Sequence, residues 1–249
     1  LLEKKKERSG LNISSDKFVY KYDSNGMPIE LIQDPYDISH QIIEEFMVLT
    51  NHIITKHISE TLKKPMIYRI HPKPDKQACH DYVEELKTFG IHGKTSYDLN
   101  KLRSLSEKHP LKNYLQKNLI RKLKIAKYTC QNVGHYGLGL DYYSHFTSPI
   151  RRYVDLVLSR ILNNEHSYTL QELQKIAHEC CVRQNQSQKA ESYTNHIKRL
   201  RWIKKSAPDQ VEGYLVNIVR GGSLEIYYIP SYDMTFICQK TTHSSTSIG

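Results

Sequence analysis

Residues 147–162 read TSPIRRYVDLVLSRIL, and the fold turns on how that stretch is parsed. Thr147 or Ser148 offers a side-chain oxygen to the free amides of a helix start, and Pro149 suits the first helical position, where its missing N–H costs nothing. The pattern predicts a helix from Pro149. Its apolar positions Ile150, Tyr153, Val154, Val157, Leu158 and Ile161 recur at helical spacing and predict one stripe against a core. On that parsing Arg151 stands at the edge of the stripe in the first turn, Arg152 points away from it, and Asp155 lies four residues on from Arg151, placed to orient it. The open amides of a helix start favour an anion, and a guanidinium adds a planar fork shaped for phosphate oxygens.

An arginine–aspartate pair at this spacing is most often a surface contact worth a few tenths of a kcal/mol. The residues just upstream, GHYGLGLDYYSHF (134–146), argue for more. Three glycines, two histidines and four aromatics make a loop that lets backbone approach a ligand closely.

Moving outward, residues 17–33 alternate apolar and polar on either side of Ser24-Asn25-Gly26, which predicts a hairpin. From 38 to 62 the residues Ile43, Phe46, Met47, Thr50, Ile54 and Ile58 recur at helical spacing behind a cap at Asp37 or Ser39. KKPMIYRIHPKPD (63–75) carries three prolines around a short apolar run and reads as a strand or extended segment. Further helices are expected at about 75–90, 98–108, 110–126 and 170–205. After Ala207-Pro208 the texture turns aromatic and β-branched around Gly221-Gly222, predicting a β module too short to close a barrel. Its Ser/Thr-rich end, TTHSSTSIG, reads as frayed. The expectation is an α+β chain, with one domain over 1–207 and the start of a second over 208–249.

The 249 residues carry 36 Lys and Arg against 26 Asp and Glu, a net charge of +10, with 18 tyrosines interleaved. That balance favours a polyanionic partner, single-stranded nucleic acid first, over a neutral small molecule. Five cysteines without CxxC spacing fit a reducing, cytoplasmic setting. No apolar run reaches the length of a membrane span, so no membrane partner is expected. The start, LLEKKKERSG, has no methionine and reads as the interior of a longer chain.

GHYGLGLDYYSHFTSPIRRYVDLVLSR (134–160) resembles the signature of the ribonuclease II/ribonuclease R exoribonucleases, whose catalytic domain is called RNB. IIEEFMVLTN (42–51), YRIHPKP (68–74) and IRKLKIAKYT (120–129) resemble further segments of that family in the same order, so the likeness covers about residues 8–205. The module from Val211 resembles, more weakly, the opening of the OB-fold RNA-binding domain that follows RNB. The resemblance implies a helix-rich C-terminal part of an RNB domain, within an enzyme that degrades single-stranded RNA from its 3′ end by metal-assisted hydrolysis to 5′-mononucleotides. It places Arg151 at the scissile phosphate as the catalytic arginine. Glu44 falls on the glutamate that contacts the 3′-terminal nucleotide, and helical geometry sets Glu44 and Asn51 beside the stripe with Glu45 and His52 pointing away. Asn51, His145, Arg152, Tyr153 and Asp155 complete the expected substrate-binding set.

The family holds Mg²⁺ with a cluster of aspartates upstream of this segment, whereas the aspartates here are scattered singly from Asp16 to Asp233. A hard cation needs several converging carboxylates, so no metal ligand is expected in this chain, and the upstream half of the polypeptide is expected to complete the site. His135 and His145, like His52 and His57, fit no zinc spacing and read as hydrogen-bonded structural histidines. Ser159 stands where many members have histidine, and Ser9 where an arginine is expected beside Gly10. The alternative is a non-catalytic RNA-binding protein, or inactive fragment, lacking the metal-binding aspartates. A small-molecule enzyme lacks support, for the chain has no GxGxxG, P-loop or nucleophile elbow.

Overall fold

The computed structural model describes residues 17–34, 37–206, 208 and 210–239; Ser9 and the end TTHSSTSIG lie outside them. The chain packs as two units, each assembled from two separated stretches: Leu1–Lys73 with Ile125–Lys205, and Pro74–Lys124 with Ser206–Gly249. Helices dominate and the sheets are small and antiparallel, the α+β class expected.

In the first unit, strands β1 (Lys17–Tyr22) and β2 (Pro28–Asp34) pair as the predicted hairpin. Asp23 Oδ1 accepts from the amides of Asn25 at 2.9 Å and Met27 at 2.8 Å, and Gly26 takes the positive φ (73°) that the turn demands. Helix α1 (Ile38–Lys56) starts at Asp37, whose carboxylate accepts from the amide of His40. At its far end it widens into a single π turn, His57–Thr61, closed by the Leu62 amide on the His57 carbonyl. The regular helix expected to Leu62 thus ends earlier.

Strands β3 (Tyr68–Ile70) and β4 (Lys127–Thr129) pair side by side although more than fifty residues separate them in sequence. Against them lies α5 (Tyr153–Leu162), which buries Val154, Val157, Leu158 and Ile161 with Ile67, Ile70 and Tyr128. Each such apolar side chain contributes about 1.5–3 kcal/mol by leaving water. Leu173 and Ala177 of α6 (Leu170–Ser206) close the same core. This 37-residue helix opens on a capping box: the Thr169 amide donates to Glu172 Oε2 at 2.7 Å, and the Glu172 amide to Thr169 Oγ1 at 3.3 Å. Beyond Ala177 none of its described residues is buried. Near its end Trp202 meets the Tyr20 ring at 6.4 Å, and Lys198 lies 5.3 Å from the Tyr22 ring, so the hairpin rests on the helix.

In the second unit, α2 (Lys76–Thr88), α3 (Leu99–Leu105) and α4 (Lys112–Lys122) bury Tyr82, Leu86, Leu99, Leu102, Leu115 and Leu119. Asp75 and Asp98 cap the first two, each accepting from the amide two residues on. Strands β5 (Tyr214–Val219), β6 (Leu224–Ile229) and β7 (Met234–Gln239) form a meander centred on β6. Its Tyr228 hydroxyl donates to Asp233, which also pairs with Lys117. No helix among the described residues is long and apolar enough to cross a membrane.

Candidate nucleic-acid interface

The helix predicted from Pro149 begins instead at Tyr153. Residues 148–151 form a separate turn, with the amides of Arg151 and Arg152 both donating to the Ser148 carbonyl. Arg152, at φ −130° and ψ 116°, is extended and breaks the helical path. The cause is Asp155, fully buried at 0% exposure. Its Oδ2 accepts from the Ser148 amide at 2.7 Å, and from Arg152 Nε at 3.1 Å and Nη2 at 2.8 Å. The expected Arg151–Asp155 partnership is therefore corrected to Arg152–Asp155: Arg152 turns inward to the carboxylate, and Arg151 is released to the surface. The stripe is corrected as well. Ile150 is 103% exposed and Tyr153 49%, because both stand on the turn or at its exit rather than on the buried face of α5.

The glycine-rich loop 134–146 is pinned from both sides. Gly134 has φ 78° and gives its carbonyl to the His71 amide; the Gly137 amide donates to His71 Nδ1 at 3.1 Å. A Cβ on Gly137 would stand 2.6 Å from that nitrogen, so only glycine fits there without a shift. From α1, Asn51 donates through Nδ2 to the Tyr143 hydroxyl at 3.2 Å and accepts on Oδ1 from the Phe146 amide at 2.8 Å. His52 Nδ1 meets the Tyr142 carbonyl at 2.7 Å, and Ser144 Oγ donates to the Ile67 carbonyl at 2.7 Å.

These bonds explain a correction on α1. Its buried residues are Glu45, Val48, Asn51 and Thr55, with Ile58 following, whereas Ile43, Phe46 and Met47 are exposed. Apolar periodicity holds for Ile54 and Ile58, which reach the core, but selects the wrong face in the first half of the helix, because hydrogen bonds to the loop let a partly polar face be buried. Glu45, 4% exposed, points inward, and Glu44 is half-buried beside it. Asn51 is likewise buried with both amide atoms occupied, so it holds the loop rather than facing open space.

Inside this frame the Tyr128 hydroxyl lies 2.6 Å from His145 Nδ1. The Tyr143 ring stands edge-on to His135 at 5.2 Å and to His145 at 5.7 Å. Burial, with Arg152 and Arg69 nearby, pushes the His145 imidazole down to about 3. Burial, with His71 beside it, lowers His135 to about 4, and burial raises the Tyr128 phenol to about 12. All three are neutral near pH 7, so the positive charge comes from the arginines. Arg151, Arg152 and Arg183 line a cleft of about 640 Å³ that His145 and Tyr153 share; Glu179 and Glu191 of α6 line it too, Glu179 3.9 Å from Arg183 Nε. Such a cleft offers guanidinium forks and ring faces to a sugar-phosphate chain.

The structure thus gathers His145, Arg151, Arg152 and Tyr153 on one cleft, with Asp155 buried behind Arg152, while Glu44 and Asn51 sit on α1 and line no part of it. Sequence reasoning misses Tyr128, Tyr143 and Arg69, although the segments that hold Tyr128 and Arg69, IRKLKIAKYT and YRIHPKP, carry part of the family resemblance. Among the described residues no three His, Cys, Asp or Glu side chains stand close enough to share a metal ion.

The family model for the RNB domain matches residues 1–168. Ribonuclease R of Chlamydia pneumoniae is 34% identical over 213 residues, covering 83% of this chain and 31% of its own length. Ribonuclease R of Thermotoga maritima is 32% identical over 239 residues, covering 89% of this chain and 34% of its own length. The chain therefore spans about a third of the curated relatives it matches. Mycoplasma genitalium RNase R, solved in complex with ribose-methylated single-stranded RNA, superposes with a TM-score of 0.84 at 22% identity, over 97% of this chain and 40% of that one.

Proposed function

Because the chain belongs to the RNB-domain family, we propose that it supplies the phosphate-binding side of a 3′-to-5′ hydrolytic exoribonuclease that releases 5′-mononucleotides from single-stranded RNA. The observation that carries this reading is the 148–151 turn. It holds Arg151 outward at the mouth of a cleft while the neighbouring Arg152 is tied to a buried carboxylate. A planar guanidinium so placed can take two oxygens of the scissile phosphate and stabilise charge developing on them. Tyr153 offers a ring face to a base, and Glu44 a carboxylate to the ribose hydroxyls at the 3′ end.

The reaction calls for a hard cation, Mg²⁺ by family likeness, and the described carboxylates of this chain do not fit one. The described acids are dispersed, and Asp155 is committed to Arg152 and Ser148. The metal is assigned to the upstream part of the polypeptide, and the residues of this chain serve to hold the RNA and neutralise its phosphate. The charge balance supports the polyanionic substrate, and the free cysteines among the described residues support a cytoplasmic setting.

The test uses the chain joined to its upstream coding sequence and an RNA labelled at its 5′ end. Stepwise shortening from the 3′ end with mononucleotide release is expected. Arg151→Lys should lower turnover about a hundredfold to a thousandfold, the range for losing one charge-stabilising donor, with RNA affinity little changed. Unchanged turnover in that variant removes Arg151 from the reaction. RNA binding without any hydrolysis would favour the non-catalytic reading.

A further inference from the structure

Arg69, on β3, is half-buried and has no carboxylate partner among the described residues. Its Nη1 donates to Gln184 Oε1 at 2.9 Å, and its guanidinium carbon stands 4.8 Å from the centre of the Tyr128 ring. Neither partner is an anion. Among the described residues no carboxylate lies within ion-pair distance of it, and Arg152 adds positive charge to its surroundings. Burial disfavours the charged form, yet a guanidinium does not give up its proton near neutral pH. A guanidinium partly withdrawn from water gains from a group of opposite sign placed beside it.

The surroundings show where that partner fits. Arg69 lines a second cavity, of about 440 Å³, between β4 and α6, whose polar lining includes Thr129, Gln174, His178 and Asn185. Ile125, Ala126 and Ala177 give it an apolar wall. This cavity is distinct from the Arg151 cleft, sharing only Tyr128 and Gln184 with it. With Nη1 engaged by Gln184, Nε and Nη2 are the donors left for a phosphate. The volume lies in the range of small-ligand sites and exceeds what a bare phosphate requires.

We propose that this cavity binds a nucleoside monophosphate, with its phosphate on Arg69 and its sugar and base among Thr129, Gln174, His178 and Asn185. Choosing a nucleotide over other phosphomonoesters rests on the reaction proposed above, of which that compound is the product. The need of Arg69 for an anion does not.

The experiment is calorimetric titration of the 249-residue chain with AMP, adenosine and inorganic phosphate at constant low ionic strength. AMP should bind at least tenfold more tightly than either of the others. Arg69→Gln should weaken AMP tenfold or more. Asn185→Asp, at an exposed position where the fold is not at risk, should weaken it severalfold by placing a negative charge on the cavity wall. Arg151→Ala should weaken RNA but change AMP affinity less than twofold, which separates this site from the proposed catalytic one. AMP affinity unaltered in both Arg69→Gln and Asn185→Asp, or lost in Arg151→Ala, overturns the proposal, as does adenosine or phosphate binding as tightly as AMP.

Discussion

A single oxygen, Oδ2 of Asp155, accepts from the Ser148 amide and from two nitrogens of Arg152, so the placement of the turn depends on one buried atom. Asp155→Asn puts a neutral amide where two nitrogens of one guanidinium converge and leaves Arg152 without its anion. It should cost about 3 kcal/mol, the range for breaking a buried pair on one side, read as a lower denaturant midpoint at unchanged slope. Arg151→Ala should alter stability by less than about 0.5 kcal/mol, because Arg151 is exposed. Acid sensitivity belongs to this scale too. The imidazoles of His145, at about 3, and His135, at about 4, lie below the ordinary value of 6.5. Between those values the unfolded chain binds protons that the folded one refuses, so stability is full above about pH 6.5 and falls as the pH drops toward 4 and then 3. From about pH 7 to about 4.5 the two should together remove about 2 kcal/mol or more. His145→Gln should flatten that profile, and an unchanged slope would show that its burial does not govern the acid response.

At the scale of elements, α1 gives the sharpest test of which face is buried. Val48→Ala should cost about 2 kcal/mol, while Phe46→Ser should leave the chain's stability within about 0.5 kcal/mol, both measured by chemical unfolding. Equal losses would return Phe46 to the core. Sequence suffices to find the elements themselves where the determinants are local: Asp37 before α1, Asp75 before α2, Asp23 and Gly26 in the hairpin. The resemblance locates the loop and the arginine turn. What stays illegible is decided at long range. Which side of α1 faces inward depends on bonds from Asn51 and His52 to a loop about ninety residues away. The start of α5 depends on Asp155, whose carboxylate ties the Ser148 amide and the Arg152 guanidinium together ahead of the helix. Local pattern leaves Lys127–Thr129 unassigned beyond the helix expected at about 110–126, because only its pairing with β3 makes it a strand. Tyr128 reaches the cleft, and Arg69 the neighbouring cavity, through that same pairing, which no local pattern announces.

At the scale of the whole molecule there are two cores, and they can be perturbed separately. Leu115, fully buried on α4, belongs to the second unit, and Leu158, fully buried on α5, to the first. Leu115→Ala should cost about 2–5 kcal/mol. In hydrogen exchange followed by mass spectrometry it should hasten exchange in α2, α4 and β6 more than in α5, with Leu158→Ala giving the reverse. Uniform acceleration by either change would mean the two cores open as one. The interleaving of the units also bears on synthesis. β3 leaves the ribosome at Ile70, but its partner β4 begins at Lys127, and α6, which closes the core around both, runs to Ser206. At about 5–20 residues per second, the nascent chain carries an open strand edge and bare Ile67 and Ile70 for seconds before they can be covered. In that interval it is a substrate for any holdase that binds extended apolar segments, and its yield in a cell is set by that wait as much as by the finished cores.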